Sequence, residues 1–173
     1  MSQMPVRFKQ WAEPWGKEPY SNHNDRSQTI GRTGSGPTLA ADVVATLKDP
    51  SVTPSTMAKL ALGWGNRTYM AGTDWGYFAN VASHFGFQRF VQLREWEALK
   101  ECLDAGGYAI CSMTQGYWCK VPCYILAWGY DDEYVYAFDA ATDKRNKQPV
   151  DRFKAESRMY FCFYPDKEGG YAE

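Results

Sequence analysis

Gly34-Ser35-Gly36-Pro37-Thr38-Leu39 is the stretch on which the reading of this chain turns. Serine is a favoured helix N-cap, and proline fits the first helical turn, where its missing N–H is not needed. Leu39, Val43, Val44 and Leu47 then recur on one helical face until Asp49-Pro50 stops the run. The spacing predicts a helix with Ser35 as its N-cap or first residue. A side chain at that point meets unpaired N–H groups and the positive end of the helix dipole, which favours a nucleophilic anion. On spacing alone, the favoured reading of Ser35 is a plain cap, since serine leads cap statistics.

Downstream, Thr53-Pro54 opens a second helix that buries Met57, Leu60 and Ala61 and ends near Gly63. Asp74 caps a third, with Trp75, Phe78, Ala82 and Phe85 at helical spacing up to Gly86. A fourth groups Leu93, Trp96, Leu99 and Leu103 and ends at Gly106-Gly107. The pattern then changes to strands at Tyr108–Met113, Cys123–Gly129, Tyr134–Asp139 and Met159–Tyr164. The second and third of these flank an acidic turn at Asp131-Asp132, a hairpin signal, and Pro165 ends the last. Helices first and strands second predict one α+β domain over residues 1–173, with the helices packed on an antiparallel sheet. Its parts are an irregular arm (1–34) anchored by Trp11, Trp15 and Tyr20, a mainly helical part (35–106), a mainly antiparallel sheet (107–165) and a tail (166–173).

Length and charge narrow the function. A chain of 173 residues with 19 Lys+Arg against 20 Asp+Glu carries a formal charge of −1, so no general electrostatic grip on nucleic acid or anionic membrane is implied. The longest mostly apolar stretch, Val121 to Gly129, falls far short of the roughly 20 residues that span a bilayer. With no signal peptide at Met1-Ser2-Gln3-Met4-Pro5, a cytoplasmic protein is expected. Five cysteines in no scaffold-like spacing make a reducing compartment the default. Cys102, Cys111 and Cys162 read as small buried hydrophobes. Cys119 and Cys123 read as two thiols, too few ligands for structural zinc, so neither metal nor cofactor is expected. Aromatic residues make up 16% of the chain, a share that suits both a core and a ligand-stacking cleft.

Several ordered motifs carry a resemblance. Phe8-Lys9-Gln10-Trp11, Pro19-Tyr20, Thr29-Ile30-Gly31 and Gly34-Ser35-Gly36-Pro37-Thr38 resemble the start of the bacterial double-glycine-leader (bacteriocin-processing) cysteine peptidases of the papain-like superfamily. The likeness continues through Gly72-Thr73, Tyr77-Phe78, Phe85-Gly86, Gly116-Tyr117-Trp118, Tyr124-Ile125-Leu126, Gly129-Tyr130 and Phe138-Asp139, covering roughly residues 8 to 165. It implies a papain-like fold with Ser35 at the nucleophilic Cys position and Cys123, in Pro122-Cys123-Tyr124, at the catalytic His position. It also implies Asp139 as the orienting carboxylate and Gln10 as the oxyanion donor, with Ser35 facing Cys123 and Asp139 across a cleft.

That set departs from the family at the two groups that make and break bonds. Cys–His catalysis requires a thiolate, an imidazole within hydrogen-bond reach and a carboxylate that fixes the tautomer. A serine hydroxyl needs a base, and Cys123 serves only as a thiolate, which Asp139 beside it disfavours. Of the two histidines, His84 reads as a helix-end surface residue and His23, in Ser21-Asn22-His23-Asn24-Asp25, as a solvated loop residue. A remote rescue by His23 is left open because the arm should lie near the helix start. The reading that follows is a catalytically silent domain whose former cleft binds, and so sequesters, a peptide segment or a small anionic, nucleotide-type signal. Its ligand-binding residues would be Arg32, Gly34 and Gly36 at the helix start, with Trp11, Trp15, Trp118 and Tyr124 as stacking aromatics. A hydrolase with Ser35 as natural or engineered nucleophile, and a partner-binding domain with a filled cleft, are the other two readings.

Overall fold

Ser35 is the first residue of the longest helix, α2 (Ser35–Leu47), with Gly34 as its N-cap, in the computed structural model of the chain. The structure describes residues 2–70 and 72–171, so the last two positions of the expected tail lie outside the described residues. Ten consecutive residues of α2, Gly36 to Ala45, are buried. The chain forms two compact units. Residues 6–81 and 140–142 make one, and residues 1–5, 82–139 and 143–173 make the other.

The helical unit holds α1 (Ile30–Thr33), α2 and α3 (Pro54–Gly63). Thr53 is the N-cap of α3 and Pro54 occupies its first turn, as proline does where an N–H would have no partner. α2 packs on α3, and Tyr77, wholly buried, donates its hydroxyl to the carbonyl of Met57 at 2.9 Å. The arm is less irregular than its composition suggests. It contains a 3-10 turn at Trp15–Lys17 as well as α1, and Pro19 bridges to Thr29. α4 (Gly76–His84) leads from this unit into the next.

The second unit is a six-stranded sheet in the order β1-β6-β2-β3-β4-β5. Its strands are β1 (Phe90–Leu93), β2 (Tyr108–Met113), β3 (Cys123–Tyr130), β4 (Tyr134–Phe138), β5 (Lys147–Pro149) and β6 (Ser157–Phe163), and all pairings are antiparallel. α5 (Trp96–Asp104) and α6 (Val150–Glu156) complete it. Its core gathers Leu99, Cys102 and Leu103 of α5, Phe153 of α6, and the inward residues Cys111, Ile125, Val135 and Tyr160 of the sheet. Gly106, at φ +87°, turns the chain from α5 towards β2 in a conformation that favours glycine.

One expected helix is corrected. Leu93 is not on the helix of Trp96, Leu99 and Leu103; it ends edge strand β1, opposite Tyr160 of β6, and is 45% exposed. Glu95 in extended conformation separates that strand from α5.

Candidate functional site

The start of α2 makes a tight contact with Thr73. A Cβ built on Gly36 would lie 3.0 Å from the Cβ and Oγ1 of Thr73, so the glycine lets Thr73 approach the first helical turn. Thr73 Oγ1 hydrogen-bonds the Tyr20 hydroxyl, whose pKa burial pushes well up. Arg67 is buried, and no carboxylate among the described residues is paired with it. Its Nε donates to Tyr20 O at 3.0 Å, Nη1 to Thr68 O at 2.6 Å and Gly72 O at 3.1 Å, and Nη2 to Gln28 Oε1 at 2.9 Å. The sequence signalled Tyr20 as an anchor but gave no sign of Arg67, a cation in a polar loop.

Ser35 is half-buried, Arg32 exposed, and Gly34 and Gly36 buried. Gln10 belongs to the same unit. Its backbone N–H donates to Ala140 O at 3.0 Å, and its side-chain Nε2 donates to Gly31 O at 2.9 Å. The amide expected as an oxyanion donor is thus engaged by a carbonyl of α1. Trp11 is 60% exposed while its indole N–H is fixed on Ala141 O at 2.8 Å. Arg7 Nη2 donates to Thr142 O at 2.9 Å, so residues 140–142 are fastened to the arm at three points. Trp15 donates its indole N–H to Lys9 O at 2.7 Å and meets Phe8 edge-on.

Cys123 and Asp139 lie in the other unit, at the first residue of β3 and just after β4. Asp139 is buried. Cys123 is not a free thiol: it forms a disulfide with Cys119, which corrects the expectation of two thiols. The spacing permits the bond because the intervening turn brings the two Cα atoms to 6.0 Å. Cys102, Cys111 and Cys162 are buried free thiols, as expected, and burial pushes the first two well up in pKa.

Two expected stacking residues are corrected as well. Trp118 is 5% exposed and part of the sheet unit's core, with its indole N–H on Gln148 Oε1 at 2.6 Å. Tyr124 is buried and meets Phe161 edge-on. Neither ring is open to a ligand. His23 stacks on Tyr69 with ring centroids 3.9 Å apart and its Nδ1 hydrogen-bonds Asn22 Oδ1 at 2.8 Å. His84, exposed in the last turn of α4, lies edge-on to Phe85. No group of three metal-ligating side chains occurs among the described residues, and no helix there is long and apolar enough to cross a membrane.

No protein-family profile and no curated protein matches this sequence. Among solved structures, the chain is similar to the peptidase domain of Streptococcus ComA, a bi-functional ABC transporter involved in a quorum sensing pathway. The two share 16% sequence identity at a TM-score of 0.59, over 78% of this chain and 93% of that one. Helices followed by an antiparallel sheet, in an arrangement that matches that domain, give this chain a papain-like cysteine peptidase fold of α+β class.

Proposed function

We propose that this chain is a peptidase-fold domain that binds a ligand at the start of α2 without cleaving it. The observation that carries this reading is the Cys119–Cys123 disulfide. In the family the sequence resembles, the position of Cys123 holds the histidine that takes the nucleophile's proton. A disulfide sulfur carries neither a thiol proton nor a thiolate charge, so it supplies no base to a serine hydroxyl. The ring of His23 is engaged with Tyr69 and Asn22, and that of His84 lies edge-on to Phe85.

What surrounds the first turn of α2 suits binding. Arg32 adds a positive charge close in sequence to a helix start, a combination that favours anions. The Trp11 ring is exposed yet fixed through its N–H, so stacking on a ligand costs little further freedom. The ligand class is a small anionic molecule of nucleotide type or a peptide segment, held and thereby sequestered.

Calorimetric titration with nucleotides and with Gly-Gly-containing peptides tests this. Trp11→Ala should weaken binding of a base-bearing ligand by about 1–3 kcal/mol. Arg32→Ala should weaken an anionic ligand more than a neutral peptide, most of all at low salt. Ser35→Ala should cost no more than about 1 kcal/mol, the worth of one neutral hydrogen bond. Turnover of the peptides by the unmodified chain, abolished by Ser35→Ala, would replace this reading with a serine-dependent hydrolase.

A further inference from the structure

The disulfide joins two points that other bonds already hold. On the Cys119 side, Thr114 N–H donates to Glu156 O at 2.9 Å and Gly116 N–H to Cys119 O at 2.9 Å. Tyr117 N–H donates to Glu156 Oε1 at 2.8 Å, and Glu156 Oε2 accepts from Gln148 Nε2 at 2.9 Å. Gln148 Oε1 in turn holds the indole of Trp118. On the other side, Cys123 is paired with Met113 in the β2–β3 ladder. Only Lys120, Val121 and Pro122 lie between the two cysteines, and all three are exposed.

The cross-link spans a sequence separation of 4. In the chain-entropy account, stabilisation by a disulfide grows with the loop it closes, so this bond constrains the unfolded chain least. Its chemistry also differs from that of the other sulfurs. Cys102, Cys111 and Cys162 are thiols at 0% exposure, whereas Cys123 is half-buried at the end of an exposed turn. Lys120, between the two cysteines in sequence, brings a positive charge that favours the thiolate.

We propose that Cys119–Cys123 is a reversible redox modification site whose partner is a low-molecular-weight thiol of the glutathione class. The thiolate of one glutathione attacks the Cys123 sulfur, the protein S–S bond breaks, and Cys119 leaves as a thiolate. A second glutathione thiolate attacks the glutathione sulfur of this mixed disulfide and releases Cys123. Two glutathiones are oxidised to one glutathione disulfide, the cysteine pair gains two electrons, and the two thiol protons end on Cys119 and Cys123. The hydrogen bonds of Glu156, Gln148 and Trp118 keep the rest of the fold in place, so only the 120–122 turn is released. The same bond carries the non-cleaving reading of the α2 site, whereas the Trp11 and Arg32 titrations test ligand binding there without reference to it.

The test uses the full chain under native conditions. Air-oxidised protein is incubated with reduced glutathione, trapped with iodoacetamide, then denatured and digested with trypsin. Cleavage after Lys120 separates residues 101–120 from 121–144, and the two peptides stay linked only while the bond is intact. Glutathione should abolish the linked pair and place the label on Cys119 and Cys123, with Cys102, Cys111 and Cys162 unlabelled until denaturant is added. Glutathione disulfide should restore the pair, and a Cys119→Ser variant should accumulate the glutathione adduct on Cys123. The Cys119→Ser/Cys123→Ser double variant should keep the parent's urea midpoint. The proposal is overturned if the linked pair is missing from oxidised protein or survives native glutathione. It is equally overturned if all five cysteines label together, or if the double variant fails to fold.

Discussion

The carboxyl of Asp42, in the middle of α2, accepts the backbone N–H of Phe8 at 2.7 Å. Asp42 is wholly buried, and its second oxygen, Oδ2, has no hydrogen-bond partner among the described residues. One turn further along the helix, Thr46 Oγ1 accepts the N–H of Val6 at 2.9 Å. The N-terminal arm is therefore laid along α2 through side chains that cap its backbone, and an acid at the centre of that seam makes it sensitive to pH.

Burial pushes the Asp42 pKa well above the usual carboxylate range, against the smaller opposing pulls of the Phe8 N–H and the charge of Arg7. A raised folded value means that the group's contribution is fully present below the unfolded pKa of about 3.9 and is lost as pH rises towards the folded value. Between the two values the loss runs at about 1.4 kcal/mol per pH unit. Asp42→Asn keeps an acceptor for Phe8 and removes the titration. Urea unfolding from pH 4 to pH 8 should show the variant gaining on the parent as pH rises. Parallel pH profiles for the two proteins would remove Asp42 from the account.

Arg67→Lys should destabilise the helical unit by about 3 kcal/mol, because hydrogen bonds to charged groups contribute roughly 1.5–3 kcal/mol each and an ammonium cannot reproduce the planar fork. The guanidinium reaches three carbonyls and the Gln28 side chain, and lies 4.9 Å over the Tyr20 ring. Chemical denaturation measures the loss. A change below about 0.5 kcal/mol, the level of an ordinary surface substitution, would mean that Tyr20, Gln28, Thr68 and Gly72 are held by something other than Arg67.

Two glycine substitutions should shift stability in opposite directions. A Cβ on Gly31 would lie 2.7 Å from the backbone oxygen of Gly16, and backbone cannot step aside as a side chain can. Gly31→Ala should therefore cost about 2 kcal/mol, within the usual range for overpacking. Gly63, the last residue of α3, has open space around the same position. Gly63→Ala should stabilise by up to about 1 kcal/mol through helix propensity. Paired melting curves of the two variants check both signs at once.

Trp118→Phe keeps most of the buried ring and removes its N–H. Gln148, 1% exposed, then loses the donor to its Oε1. Leaving a buried acceptor short costs about 1–3 kcal/mol. A melting temperature equal to the parent's would show that the indole serves only to fill space.

Local sequence was enough for the elements with strong local signals. Ser35-Gly36-Pro37 marked the first turn of α2, and Thr53-Pro54 did the same for α3, because capping and proline placement are decided within a few residues. Tyr108–Met113 read as a strand with its observed limits, since a short apolar run between glycine and polar residues has few other uses. The order of helices then strands led to the α+β class.

Other features required partners distant in sequence. Leu93 fits the helical spacing of Trp96, Leu99 and Leu103, but backbone pairing with Tyr160, remote in the chain, places it in a strand. Lys147–Pro149 has no strand signal of its own and is recruited by Tyr134–Tyr136. Trp11 and Trp118 are the same residue type in equally irregular stretches, yet one is 60% exposed and the other 5%. The sequence determined which side chains were available: a hydroxyl at the helix start, a sulfur at the start of β3 and a carboxyl after β4. Only the tertiary structure decided that the sulfur is bonded to Cys119 and that Gln10 is bonded to Gly31. Local propensity acts over a turn or two, whereas burial and side-chain pairing depend on which distant segments the chain brings together.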